Sequence, residues 1–282
     1  MTAILLVALG VLLVTAAPRV LSAHPGLRRS PRPALMLWQA TALAGVICVV
    51  AAGPIAAVTL WPLTRHGLDT AAALLALVAS ALTLSMLLVN GHVVGTTLRA
   101  ARRRHEDLLD LVGDELDRRV TVVEHHTPTA YCVPGRHRRV VLSSATLREL
   151  PQDELEAVLA HERAHLAERH DLLLEYFTVT HSTAPRWLRS SRALTEVRLL
   201  VEVLADRAAR QHVGDVPLAR ALVRLAGSRT PEAMLGVAEH GLVQARMELL
   251  ADDPAPQWHA AGVYALVTLV YLLPLVVLVT TL

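Results

Sequence analysis

Four stretches without a charged side chain, residues 1–17, 34–63, 70–98 and 260–282, constrain this chain more than any other feature. Crossing a bilayer takes about 20 apolar residues in a helix, because the backbone must satisfy its own hydrogen bonds where water is absent. Each stretch reaches or approaches that length, so the sequence predicts membrane helices at about residues 1–17, 34–61, 70–95 and 260–282. The mean hydropathy of +0.43 agrees. A polar region of domain size, residues 99–259, separates the last two. The expected fold is a mainly α integral membrane protein: three helices within residues 1–98, a domain over 99–259, and a fourth helix over 260–282.

Arginine placement predicts the orientation. The chain has no lysine, and its net charge is only +2. Arg19, Arg28, Arg29 and Arg32 lie between the first two spans, and Arg99, Arg102, Arg103 and Arg104 follow the third, whereas the loop between spans two and three offers only Arg65. Basic residues accumulate on the cytoplasmic side. The domain is therefore expected in the cytoplasm and both termini outside. A cleaved signal peptide is the alternative for the first stretch, but it lacks a basic amino-terminal region and its basic residues come after it. Cys48 and Cys132 fall in a span and in the domain respectively, so a disulfide between them is not expected.

Within the domain, residues 161 to 165 read His-Glu-Arg-Ala-His. On a helix, positions i and i+4 share a face, so His161 and His165 can direct both imidazoles at one zinc ion with Glu162 beside it. Zinc lowers the pKa of a water towards roughly 7, and a neighbouring carboxylate can take the proton and return it to a leaving amine. The pattern points to metal-assisted hydrolysis. Pro151 followed by Gln152, Asp153 and Glu154 supplies a helix start, and the apolar run 155–160 leads into the motif.

Such a zinc needs a third protein ligand. In the apolar segment 199–206, Glu202 and Asp206 are one turn apart, and burying carboxylates there is costly unless they are paired or bind metal. Glu202 is assigned as the third ligand, and Asp206 as acceptor for the free ring nitrogen of one zinc histidine. Two alternatives stand beside this: pairing of both acids with Arg198, Arg207 or Arg210 on a solvated face, and Glu196 as ligand.

The remaining elements are read more coarsely. Residues 99–119 are charged and helix-like, and either continue the third span or lie along the membrane surface. Strands are expected at 120–124, 130–133 and 139–143, the last two around a Pro134-Gly135 turn. Helices follow at about 191–213, 216–226, 231–238 and 241–250, with Gly214 stopping the first of them.

Residues 130–135 (AYCVPG) with 140–143 (VVLS), 153–165 (DELEAVLAHERAH), and Glu202 with Ala205-Asp206 resemble, in that order and spacing, the gluzincin membrane peptidases. The resemblance is greatest to the BlaR/MecR-type antirepressor peptidases, with the HtpX/Ste-type peptidases as relatives. It covers residues 120–250 and implies an α+β zinc peptidase domain. Carried onto this chain, His161, His165 and Glu202 match the zinc ligands, Glu162 the catalytic base, and Asp206 the acid one turn after the third ligand. Arg246 is placed like an arginine that follows the third ligand in these families, so it is expected to act in catalysis as a donor to transition-state charge; His212 and His240 compete for that role. With no penicillin-binding sensor domain before Leu282, the chain resembles the sensorless members.

The resemblance implies a protein substrate, most plausibly a small cytoplasmic winged-helix repressor cleaved in signal transduction. A broad quality-control peptidase and a noncatalytic membrane scaffold are the alternatives; the intact Glu162 speaks against the scaffold. An extended peptide could add to a strand edge at 130–133 or 139–143. Membrane lipid is an expected partner. Direct nucleic-acid binding is not, because acids are abundant and no recognition motif is present. His125, His126, His137 and His170 are expected to be exposed or structural, and Arg136, Arg138 and Arg139 to form a solvated or membrane-facing turn.

Overall fold

A computed structural model describes residues 2–60, 67–117, 119–135, 137–186, 189–227, 237–252 and 255–281. Arg65, Arg136 and the start of the helix expected at 231–238 lie outside the described residues, as does the His240 side chain. The chain divides into two compact units, one of residues Met1–Val93, Tyr176–Val197 and Pro254–Leu282, the other of Val94–Glu175 and Arg198–Asp253.

Among the described residues, four helices are long and apolar enough to cross a membrane: α1 (Thr2–Ser22), α2 (Pro31–Leu60), α3 (Gly67–Val112) and α10 (Gln257–Thr281). They are the four that the apolar stretches predict. Large side chains stay exposed along them, including Ile4, Leu75 and Val279, which are 73%, 75% and 81% accessible; such faces suit lipid. Between α1 and α2 the packing uses small residues, as helices in lipid do. A Cβ on Gly10 would meet the Gly45 carbonyl at 3.3 Å. At Gly53 of α2, the Ser80 hydroxyl of α3 accepts from the Gly53 N–H at 2.9 Å and donates to the Val49 carbonyl at 3.0 Å.

Helix α3 settles how the third span ends. It runs on for 46 residues, through the arginines at 99–104, and stops at Val112. Residues Gly113–Asp117, expected to be helical, instead form strand β1, which pairs antiparallel with β2 (Val120–Val123). Tertiary pairing overrides the weak helix preference of a Gly-Asp-Glu-Leu-Asp segment.

Strands β3 (Ala130–Val133) and β4 (Arg139–Ser143) form the expected antiparallel pair, with Ala130 opposite Leu142 and Val133 opposite Arg139. Strand β4 also pairs parallel with β2, giving the order β1-β2-β4-β3. This places β4 inside the sheet and leaves β3 at an edge, so the edge expected at 139–143 is corrected. Ser143 then caps the short helix α4 (Ser144–Glu149), its hydroxyl accepting from the Thr146 N–H at 3.1 Å.

Helix α5 (Gln152–Ala167) follows, with Asp153 and Glu154 in its first turn. Its buried positions Glu154, Ala157, Val158, His161 and Ala164 recur at helical spacing and form one face. Val158 and Leu166 pack with Val120, Val140 and Leu142 of the sheet, and Ala157 with Ala209, Leu218 and Leu250. The chain continues as α6 (His170–Thr183), α7 (Ser191–Val213), α8 (Asp215–Gly227) and α9 (Val237–Ala251). Gly214, at φ 82, separates α7 from α8 in the left-handed conformation that glycine adopts without strain. Residues 237–251 are one helix, so Gly241 does not divide them as expected.

Candidate metal centre

Helix α5 presents His161 and His165 one turn apart, and α7 brings Glu202 opposite them. His161 Nε2 lies 3.1 Å from His165 Nε2 and 3.4 Å from Glu202 Oε2, and His165 Nε2 lies 3.7 Å from Glu202 Oε1. Donors about 2.0–2.1 Å from a tetrahedral zinc stand roughly 3.3 Å apart. Two imidazoles and a carboxylate at these separations therefore fit zinc, and they form one group able to hold a metal. His161 is buried, whereas His165 and Glu202 are half-buried, so the cluster is not sealed on all sides.

A network of charges backs this group. Asp206 is 2% exposed, and its Oδ1 lies 2.9 Å from His161 Nδ1. Arg246 donates from Nε to Asp206 Oδ2 at 2.8 Å and from Nη2 to Oδ1 at 2.7 Å, while its Nη1 lies 2.9 Å from Glu202 Oε2. Asp206 thus faces the Nδ1 side of the His161 ring. Arg246, 40 residues beyond Asp206, takes both acids, and Arg210, one of the arginines offered as their alternative partner, pairs with Asp215. Glu196 is held by Arg28. His212 turns Nδ1 to its own helix, 2.8 Å from the Ala208 carbonyl.

The network shifts the titration of its members. Burial opposes protonation of His161, but hydrogen bonds to Asp206 and Glu202 outweigh it and hold its pKa up at about 9. Burial would raise Glu202, yet the His161 hydrogen bond and the Arg246 charge bring it down to about 2. His165 is pushed down to about 3 by burial and then by the His161 charge. In the metal-free protein a proton on His161 therefore occupies the role that a cation would take, and metal must displace it. Because the His161 pKa is raised above 6.5, its contribution to stability is complete below that pH and is lost as pH rises through about 9. The melting temperature of the metal-free protein is expected to fall between pH 7 and 10 while the increment given by zinc grows. An increment that shrinks across that window would contradict the site.

Glu162 lies beside the cluster without belonging to it. Burial raises its pKa, and its carboxylate contacts the Cys132 thiol of strand β3. Burial, and then Glu162, push that thiol up to about 12. Both cysteines are free. Sequence spacing does not announce this neighbour, because Cys132 and Glu162 lie 30 residues apart on different elements.

Of the two expectations for His170, exposed or structural, the structure shows the second. His170 is 3% exposed, and its Nδ1 lies 3.0 Å from His165 Nδ1. The contact depends on a break in the helix. Glu168 caps α5, Arg169 turns back at φ 53, and His170 opens α6.

Paired imidazoles on α5, a facing carboxylate from α7 and the neighbouring Glu162 carboxylate are the groups that metal-assisted hydrolysis of a peptide uses. A model of peptidase family M48 matches residues 97–259, more than half of the 282-residue chain, and the chain belongs to that family. Comparisons with curated proteins and with solved structures give no match.

Proposed function

We propose that this chain is a membrane-bound zinc metalloendopeptidase, with His161, His165 and Glu202 holding zinc and Glu162 as the catalytic base. The observation carrying this reading is the 3.1–3.7 Å convergence of the three donors with the half-buried Glu162 carboxylate beside them. When bound, zinc supplies a Lewis acid that polarises the scissile carbonyl and makes a water more acidic. Glu162 takes the proton of the attacking water, and burial favours its protonated form, so it can return that proton to the leaving amine. Arg246 also positions the acids, with Nε and both Nη atoms engaged by Asp206 and Glu202. The substrate lies extended along β3, whose outer edge is unpaired within the sheet and whose Cys132 adjoins Glu162.

The metallopeptidase domain faces the cytoplasm and both termini lie outside, a reading supported by the arginines after the first and third apolar stretches. The substrate is a cytoplasmic winged-helix repressor, a reading that rests on the resemblance to the BlaR/MecR-type antirepressor peptidases. The second reading is a quality-control peptidase of broad substrate range. It rests on the resemblance of the motif segments to the HtpX/Ste-type peptidases.

New protein amino termini in cells expressing the wild-type chain or Glu162→Gln separate the readings. Fragments of one DNA-binding repressor, found only with the wild type, are expected. Scattered fragments of membrane proteins would replace that reading with quality control, and identical fragment sets under antibiotic and envelope stress would contradict both.

A further inference from the structure

We propose that His170 is a positioning residue for the metal centre: it accepts a hydrogen bond from Nδ1–H of His165 and thereby fixes the tautomer whose Nε2 is free to bind a divalent cation. The inference rests on the metallopeptidase reading above.

An imidazole that binds metal through Nε2 carries its proton on Nδ1, and that N–H needs an acceptor if it is buried. His161 has the Asp206 carboxylate for this purpose. The corresponding atom of His165 meets His170 Nδ1 at 3.0 Å, with the two rings nearly perpendicular at 82° and their centroids 4.9 Å apart. Since one nitrogen of the pair must donate and the other accept, a donating His165 puts the His170 proton on Nε2. That atom lies 3.9 Å from Glu168 Oε2, beyond hydrogen-bond reach, so the carboxylate's charge favours a proton there without bonding to it.

The backbone supports the same conclusion. On an unbroken helix a residue five places on points about 140° away. His170 reaches His165 only because the chain reverses at Arg169, whose φ of 53 is unusual for a residue with a side chain. The result is an asymmetric centre, with one ligand backed by a carboxylate that Arg246 also holds and the other backed by a buried neutral ring.

The test is the zinc affinity of the full-length chain in detergent, by competition with a chromophoric chelator, for wild type and for His170→Asn, His170→Leu and His170→Phe. Asparagine places a hydrogen-bonding atom close to the position of Nδ1, leucine matches asparagine in size without an acceptor, and phenylalanine fills the ring volume without one. Loss of such a partner weakens metal binding about 10–100-fold. Leucine and phenylalanine are expected to show that loss, with asparagine within about threefold of wild type. Thermal melting of the zinc-free proteins identifies any variant that fails to fold, and the remaining acceptor-less variant then decides. Equal affinity for wild type and an acceptor-less variant would overturn the role of His170 alone, as would asparagine binding no better than leucine. A wild-type chain that binds no zinc would overturn the metallopeptidase reading and this inference together.

Discussion

Glu162→Gln is expected to lower peptide hydrolysis about 10²–10⁴-fold, the usual worth of a positioned general base, while the metal stays bound. The two effects separate because Glu162 is not among the three clustered donors. Glutamine keeps the size of the side chain and its contact with Cys132 but has no site for the proton. Burial raises the Glu162 pKa, which matches its donor ability to the second half of the reaction. Purified protein should be assayed with a quenched fluorescent peptide and its metal content measured on the same sample. Hydrolysis within tenfold of wild type would remove Glu162 from the mechanism.

The second large effect is structural. Arg246→Ala is expected to destabilise the fold by about 3–5 kcal/mol, the cost of breaking a buried charge network by deleting one partner. Asp206 is 2% exposed, and both it and Glu202 lose the guanidinium that spans them. Their repulsion then falls on one side of the metal group, so zinc affinity should drop as well. Arg246→Lys should rescue little, because an ammonium on a flexible stem cannot reproduce a planar fork that reaches three oxygens. Melting temperatures in detergent measure both variants, and an Arg246→Ala protein melting with the wild type would show that the acids need no such partner.

Much of this molecule was legible because its strongest signals are local. Uninterrupted apolar length marks a membrane helix without knowledge of its neighbours, and all four such helices are found where the charge-free stretches lie. The same holds for His161 and His165, whose shared face follows from helix geometry. Glu202 and Asp206 were found because acids in an apolar segment demand a partner, although the partner Arg246 comes from 40 residues away. Nonlocal features were harder. Strand β1 exists because β2 lies beside it, and its charged sequence reads as helix in isolation. The insertion of β4 between β2 and β3 is a matter of sheet order, which alternation along one strand cannot reveal. His170 depends on one left-handed residue, Arg169, where the sequence has no glycine to announce a turn.

The most direct test of the central claim is the zinc content of the purified full-length chain and of Glu162→Gln and Glu202→Ala. One zinc per chain is expected in the wild type and in Glu162→Gln, with metal lost from Glu202→Ala. Full metal retention in Glu202→Ala, or a wild type without zinc, would contradict the site.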